Sequence, residues 1–125
     1  MITVEIHKNI SGRIESLSVA DHSGYAEADS DIICAGASTL LYTAIGAIQD
    51  LCGLDDFYRI NEGSDEDSIP FSEIVMPVSA LSEEQLHDSQ IILRTVEIGL
   101  KQLEESVNTE YGNQFIRVEE ITHDM

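Results

Sequence analysis

Positive charge is what this sequence has least of. Six Lys and Arg stand against 24 Asp and Glu, a formal net charge of −18 over 125 residues, and no two of those six adjoin. Binding to DNA, RNA or an anionic membrane surface is disfavoured, because each needs cations against phosphate. Such acidity suits either plain solubility or attraction of a basic partner. Cysteine is scarce too. The two present, Cys34 and Cys52, lie 18 positions apart. On one continuous helix that is roughly 27 Å, far beyond the Cα separation of about 7 Å that a disulfide allows. Both are expected to be free thiols. The four His residues are scattered with no zinc-ligand spacing. The glycines form no phosphate-binding loop, so no metal and no cofactor is expected. The opening segment Met1-Ile2-Thr3-Val4-Glu5-Ile6-His7 has no basic-then-apolar leader, so no secretory signal is expected and the protein is read as cytoplasmic.

What is present reads as one globular domain over residues 1–125, with 42% apolar and 6% aromatic residues. Ile2, Val4 and Ile6 alternate as a half-buried strand. Asn9-Ile10-Ser11-Gly12 is a turn, and Arg13 to Ala20 returns as a second strand with a bulge near Glu15-Ser16, where the alternation slips. Asp31 can cap a helix from about Ile32 to Leu51, with Gly53 just past its end. Ile32 to Gln49 holds no charged residue. Its Ser, Thr and Gly content, flanked by Asp31 and Asp50, suits a buried core helix better than a membrane span. Phe57–Ile60 is a short strand, and 61–68 an acidic turn. Ile69–Val78 is extended, with Pro70 and Pro77 keeping it near an edge or at strand ends. Ser82 with Gln85 makes a capping box for a second helix striped by Leu86, Leu93, Val96, Leu100, Leu103 and Val107 and closed by Gly112. Phe115–Ile121 is a last strand. The order β-β-α-β-β-α-β predicts a two-layer α/β sandwich with both helices on one sheet face.

Chemistry concentrates around Cys34, in the first turn of the predicted helix, with His22 in the loop leading into it. Free N–H groups and the positive dipole end favour a thiolate there. The dipole supplies about 0.3–1 kcal/mol, less than one pKa unit, so a thiol starting near 8.5 needs an imidazolium as well. His22 can supply it. The N–H groups of Cys34 and Ala35 are candidate oxyanion donors. Asp31 has two possible roles, helix cap or third member of a triad behind His22. Ser38 lies one turn after Cys34 on the same face. Cys52, at the negative end of the helix, reads as structural. A lone Cys on an apolar helix and a lone loop His are, taken singly, more often packing and surface.

The segments His22-Ser23-Gly24-Tyr25-Ala26, Asp31-Ile32-Ile33-Cys34-Ala35 and Ser38 resemble the ribosomal-processing cysteine protease family, Prp, at that family's spacing. The similarity extends to the opening hairpin, to Gly99–Glu105 and to Ile116-Arg117-Val118; only about Gly53 to Ala80 lacks it. The resemblance implies a cysteine endopeptidase that removes a short N-terminal extension from large-subunit ribosomal protein twenty-seven, cutting after an aromatic residue. Cys34 would be the nucleophile and His22 its proton-transfer partner, with Asp31 and Ser38 supporting. Gly24, Tyr25 and Ala35 would meet substrate. It also implies a homodimer and a basic ribosomal protein as partner, which the charge of −18 suits. Two positions depart from the family: Asp21 and Asp29 stand where it usually has glycines, which adopt positive φ without steric cost. Two rival readings are a non-catalytic acidic adaptor for a basic ribosomal protein or assembly factor, and a thiol redox sensor on Cys34.

Overall fold

A computed structural model describes residues 1–21, 31–61 and 70–123. Strands β1 (Ile2–Lys8) and β2 (Ile14–Ala20) form an antiparallel hairpin. Its turn is organised by Asn9, whose Oδ1 accepts hydrogen bonds from the amides of Ser11 and Arg13. Gly12 takes φ 88°, a left-handed conformation that glycine adopts freely. The expected bulge is present. His7 faces Ser16 while Lys8 faces Ile14, so Glu15 is the extra residue, and its carbonyl accepts from the Met76 amide at 2.9 Å.

Helix α1 spans Ile32–Cys52 and α2 spans Glu83–Glu110. Between them run β3 (Tyr58–Asn61) and β4 (Phe71–Val75), and β5 (Ile116–Thr122) closes the chain's order. The five strands are arranged β3-β4-β2-β1-β5, antiparallel except for the parallel pair β1 and β5. The third strand starts one residue later than the sequence suggests. Phe57 sits just outside it as a buried core residue, its carbonyl accepting from Val75 N at 2.8 Å. Of the extended stretch expected over Ile69–Val78, Ile69 lies outside the described residues and Phe71–Val75 forms β4. Pro77, which has no amide to donate, follows the strand, and Val78–Ala80 turns as a short 3-10 helix.

The two layers follow from the residue pattern. In β1, Ile2, Val4 and Ile6 are fully buried while Thr3, Glu5 and His7 are half-buried on the opposite face. Against the apolar face pack Ile33, Ala37, Leu41, Ala44 and Ile48 of α1 and Leu93, Val96, Leu100 and Val107 of α2. By length and composition α1 is apolar enough to cross a membrane, yet this stripe is committed to the core. The helices approach closely at Gly99, where an added Cβ would stand 3.0 Å from a Leu40 methyl. The capping box is formed, with the Ser82 hydroxyl accepting from Gln85 N and the Gln85 side chain accepting from Ser82 N. An ionic cluster pins α2 to β1 and β5. Lys8 Nζ lies 2.8 Å from buried Glu97 and 3.2 Å from Glu120, and Lys101 meets the same two carboxylates. The contacts to Glu97 Oε2 are charge pairing rather than aligned hydrogen bonds.

Candidate active site

Helix α1 begins where Asp31, in extended conformation, turns its carboxylate back over the first turn. Oδ1 accepts from Ile33 N at 3.1 Å and from Cys34 N at 3.0 Å. Asp31 is 4% exposed, so this is a buried cap on donors that otherwise lack intrahelical partners. It sets the position of Cys34, the third residue of the helix, whose side chain is half-buried and unpaired as a disulfide. Cys52, at the other end of the same helix, is buried in the core and also a free thiol.

Cys34 opens into a cavity of about 220 Å³. Ser38, Leu41 and Tyr42 continue the α1 wall at helical spacing. Val19 and Asp21 enter from the end of β2, Asn61 from the end of β3, and Pro70, Phe71 and Ser72 from the start of β4. The cavity thus lies where the first half of α1 crosses the ends of three strands. Asp21 and Pro70 are tied by a 2.8 Å hydrogen bond from amide to carbonyl. Asp21 has φ 77°, alone in that region among the described non-glycine residues. The backbone therefore keeps the conformation that a glycine would take there, despite the side chain. His22, Gly24, Tyr25 and Asp29 lie outside the described residues. A larger groove of about 320 Å³, beside Phe57, Arg59 and Val75, is lined by no cysteine or histidine among the described residues.

Electrostatics correct one expectation. Burial pushes the Cys34 thiol above its ordinary pKa, and the Asp31 charge pushes it further; a hydrogen bond with Ser38 pulls the other way. The cap that organises the helix start also places a negative charge beside the thiol, opposing the dipole's benefit. A thiolate here needs a cationic partner even more than the weakness of the dipole requires. The Cys52 thiol is raised as well, by burial and then by Asp88.

The expected oxyanion donors are also corrected. Cys34 N–H is committed to Asp31 Oδ1, and Ala35 N–H to the Asp31 carbonyl at 3.0 Å. Ala35 is the fourth residue of the helix, the first whose amide has an ordinary intrahelical acceptor, so it is not a free donor. Nor does Ala35 line the Cys34 cavity. It borders a separate groove between the helices, with Gly36, Leu40 and Leu103. Of the remaining sequence-derived residues, the structure brings Cys34 and Ser38 together, with Asp31 behind them. Tyr42, eight positions after Cys34, was missed although the helical repeat puts it on the same face. Asn61 and Phe71 had no local signal; only the strand order delivers them.

A free thiol facing a cavity at the head of a core helix, on an α/β sandwich, is an arrangement suited to the cysteine protease class. The chain belongs to the cysteine protease Prp family, whose model matches residues 1–112. It is 31% identical over 108 residues to the ribosomal processing cysteine protease Prp of Staphylococcus aureus, covering 86% of this chain and 92% of that protein. The Bacillus subtilis protein of the same name is 26% identical over 98 residues, 78% of this chain and 88% of that one. A crystal structure of the essential ribosomal processing protease Prp from S. aureus, in complex with a covalently linked product peptide, superposes with a TM-score of 0.67. It shares 29% identity and covers 96% of this chain and 99% of that chain. The chain is accordingly a cysteine protease of the ribosomal-processing type.

Proposed function

We propose that this enzyme removes the N-terminal extension of large-subunit ribosomal protein twenty-seven, with Cys34 as nucleophile and His22 as its proton-transfer partner. The observation that carries the reading is Cys34 itself. Cys34 faces a cavity while Cys52 is buried in the core, and Asp21, the residue immediately before His22, lines the same cavity. That Asp21 borders the cavity supports the choice of His22, its neighbour in sequence, as the cation the raised thiol needs.

In the proposed cycle the imidazole takes the thiol proton, and the thiolate adds to the scissile carbonyl carbon. The imidazolium protonates the departing amine as the C–N bond breaks, and water then hydrolyses the thioester to regenerate the thiol. Asp31 serves by holding the helix start through its cap, and Ser38 by its hydrogen bond to the sulfur. Gly24, Tyr25 and Ala35 are carried over as substrate-contacting residues, Ala35 less readily because it faces the other groove.

The basic substrate is matched by a net charge of −18. The same field argues against direct nucleic-acid or anionic-membrane binding and fits a cytoplasmic enzyme working beside the ribosome. A homodimer and a single domain over 1–125 complete the proposal. Incubating the enzyme with the extended and the mature ribosomal protein, read by mass spectrometry, tests it. One cut restoring the mature N-terminus is expected from wild type and none from Cys34→Ala. Binding of the extended protein without cleavage would instead favour an acidic adaptor.

A further inference from the structure

The chain has six Lys and Arg residues among 24 Asp and Glu, and four of the six are ion-paired. Lys8 and Lys101 share Glu97 and Glu120, Arg59 pairs with Glu73 at 2.6 Å, and Arg117 pairs with Glu119 at 2.8 Å. Arg13 and Arg94 have no carboxylate partner among the described residues, in a protein where carboxylates outnumber cations fourfold. Both line one groove of about 530 Å³, together with His87 and the apolar side chains of Leu86 and Ile91. Glu83 stands on the same groove without pairing to either guanidinium.

The floor of this groove is built rather than incidental. Gln90 accepts from Ile14 N at 2.8 Å and donates to Ile14 O at 2.8 Å, fixing the start of β2 onto α2. That clamp holds Arg13, from the strand side, beside Arg94, from the helix. Ile91 is 55% exposed between them. Guanidinium forks with an apolar patch alongside select a carboxylate-bearing, partly apolar ligand. Length is bounded as well. Glu83 to Arg94 spans roughly 16 Å of helix, the reach of about five extended residues.

We propose that this groove docks a short acidic peptide segment of a partner protein, its carboxylates on Arg13 and Arg94 and an apolar side chain on Leu86 and Ile91. Among the described residues it shares no lining residue with the Cys34 cavity, so it is an interaction surface separate from that site. The net charge of the enzyme repels an acidic ligand at long range, which leaves recognition to these short contacts and makes it selective rather than steered.

Fluorescence anisotropy with a labelled hexapeptide alternating Glu and Leu, against its Gln and Leu counterpart, at about 0.15 M salt, tests the proposal. The acidic peptide is expected to bind about tenfold more tightly than the amide control. Arg13→Gln and Arg94→Gln are each expected to weaken it severalfold while leaving peptide hydrolysis at Cys34 unchanged. Amide chemical shifts in wild type, which need no variant, are expected to move around Arg13, His87, Ile91 and Arg94. Equal binding of both peptides, no binding of either, or shifts centred elsewhere overturns the proposal. So does preferential binding of a single-stranded RNA oligonucleotide of similar length. A change of sedimentation in the two Arg variants would assign the groove to a second copy of this chain, and would overturn it too.

Discussion

The Asp31 carboxylate accepts a 3.0 Å hydrogen bond from the Cys34 amide, so the group that starts the helix also sets the charge beside the thiol. Asn caps helices about as well as Asp but carries no charge. Asp31→Asn is therefore expected to fold normally, to lower the Cys34 pKa and to speed its alkylation by iodoacetamide at pH 7. Asp31→Ala loses the cap, at a cost of about 0.5–2 kcal/mol. Slower alkylation in the Asn variant would mean that Asp31 acts on Cys34 through the imidazole of His22 instead.

Ser38 holds the thiol pKa down by its hydrogen bond. In Ser38→Ala that pKa rises. At a fixed pH below it, the thiolate fraction falls about tenfold for every 1.4 kcal/mol of hydrogen bonding lost. Alkylation kinetics from pH 6 to 10 should show the Cys34 profile displaced to higher pH. Cys52, buried and remote on the same helix, serves as the internal reference and should not move.

Asp21 sits at φ 77°. Glycine tolerates this conformation and Ala does not, by roughly 1–2 kcal/mol. Asp21→Gly should melt above Asp21→Ala in a thermal denaturation, since both remove the same carboxylate and the strain on Ala at positive φ outweighs the extra unfolded-state entropy of Gly. Equal melting temperatures would show that the left-handed backbone is not retained in solution.

Glu120 is held down to a pKa of about 2, chiefly by its hydrogen bond with Lys101 and further by Lys8. Its folded pKa lies below the ordinary 4.5, so it contributes stability above that value, lost as pH falls toward about 2. Glu120→Gln should be the less stable protein at pH 6, with the difference closing between pH 4.5 and 2. The gap should stay under about 1 kcal/mol, because the carboxylate is partly exposed and screened. Urea titrations at a series of pH values measure it.

Leu41 is fully buried and also forms part of the Cys34 cavity wall. Leu41→Ala is expected to cost about 2–5 kcal/mol of stability. Its peptidase activity should fall more than that of an equally destabilising Leu100→Ala on α2, which borders the core alone. Matching losses in the two variants would remove the cavity from the account.

Local signals carried most of the elements. Asp31 and the Ser82/Gln85 pair were readable as caps because a side chain within three residues of an orphan amide is a local event. The bulge at Glu15 was readable because an extra residue breaks a period of two. The parallel pairing of β1 with β5 was not, since Ile2 meets Ile116 with the whole intervening chain between them and leaves no mark in either segment. The cavity was half-legible for the same reason. Ser38 and Tyr42 follow from the helix repeat, whereas Asn61 and Phe71 arrive by strand order alone. The protonation preference of Cys34 was not legible, because a cap and a dipole act at one place with opposite signs. Sequence shows that both are present; only geometry shows how near the carboxylate stands.

The β1–β5 pairing has a consequence for the timing of assembly. The strand that begins the sheet is sealed along one side only by residues 116–122, through seven matched positions from Ile2 to Lys8. During synthesis the hairpin and α1 can collapse early, because their contacts are near in sequence. The open side of β1 then waits, as an exposed ladder of unpaired amides, until the last strand has left the ribosome. A shortened C-terminus would consequently leave the Cys34 cavity drawn from intact segments on a sheet with a raw flank. Its first symptom would be self-association of nascent or truncated chains, ahead of any loss of the thiol's surroundings.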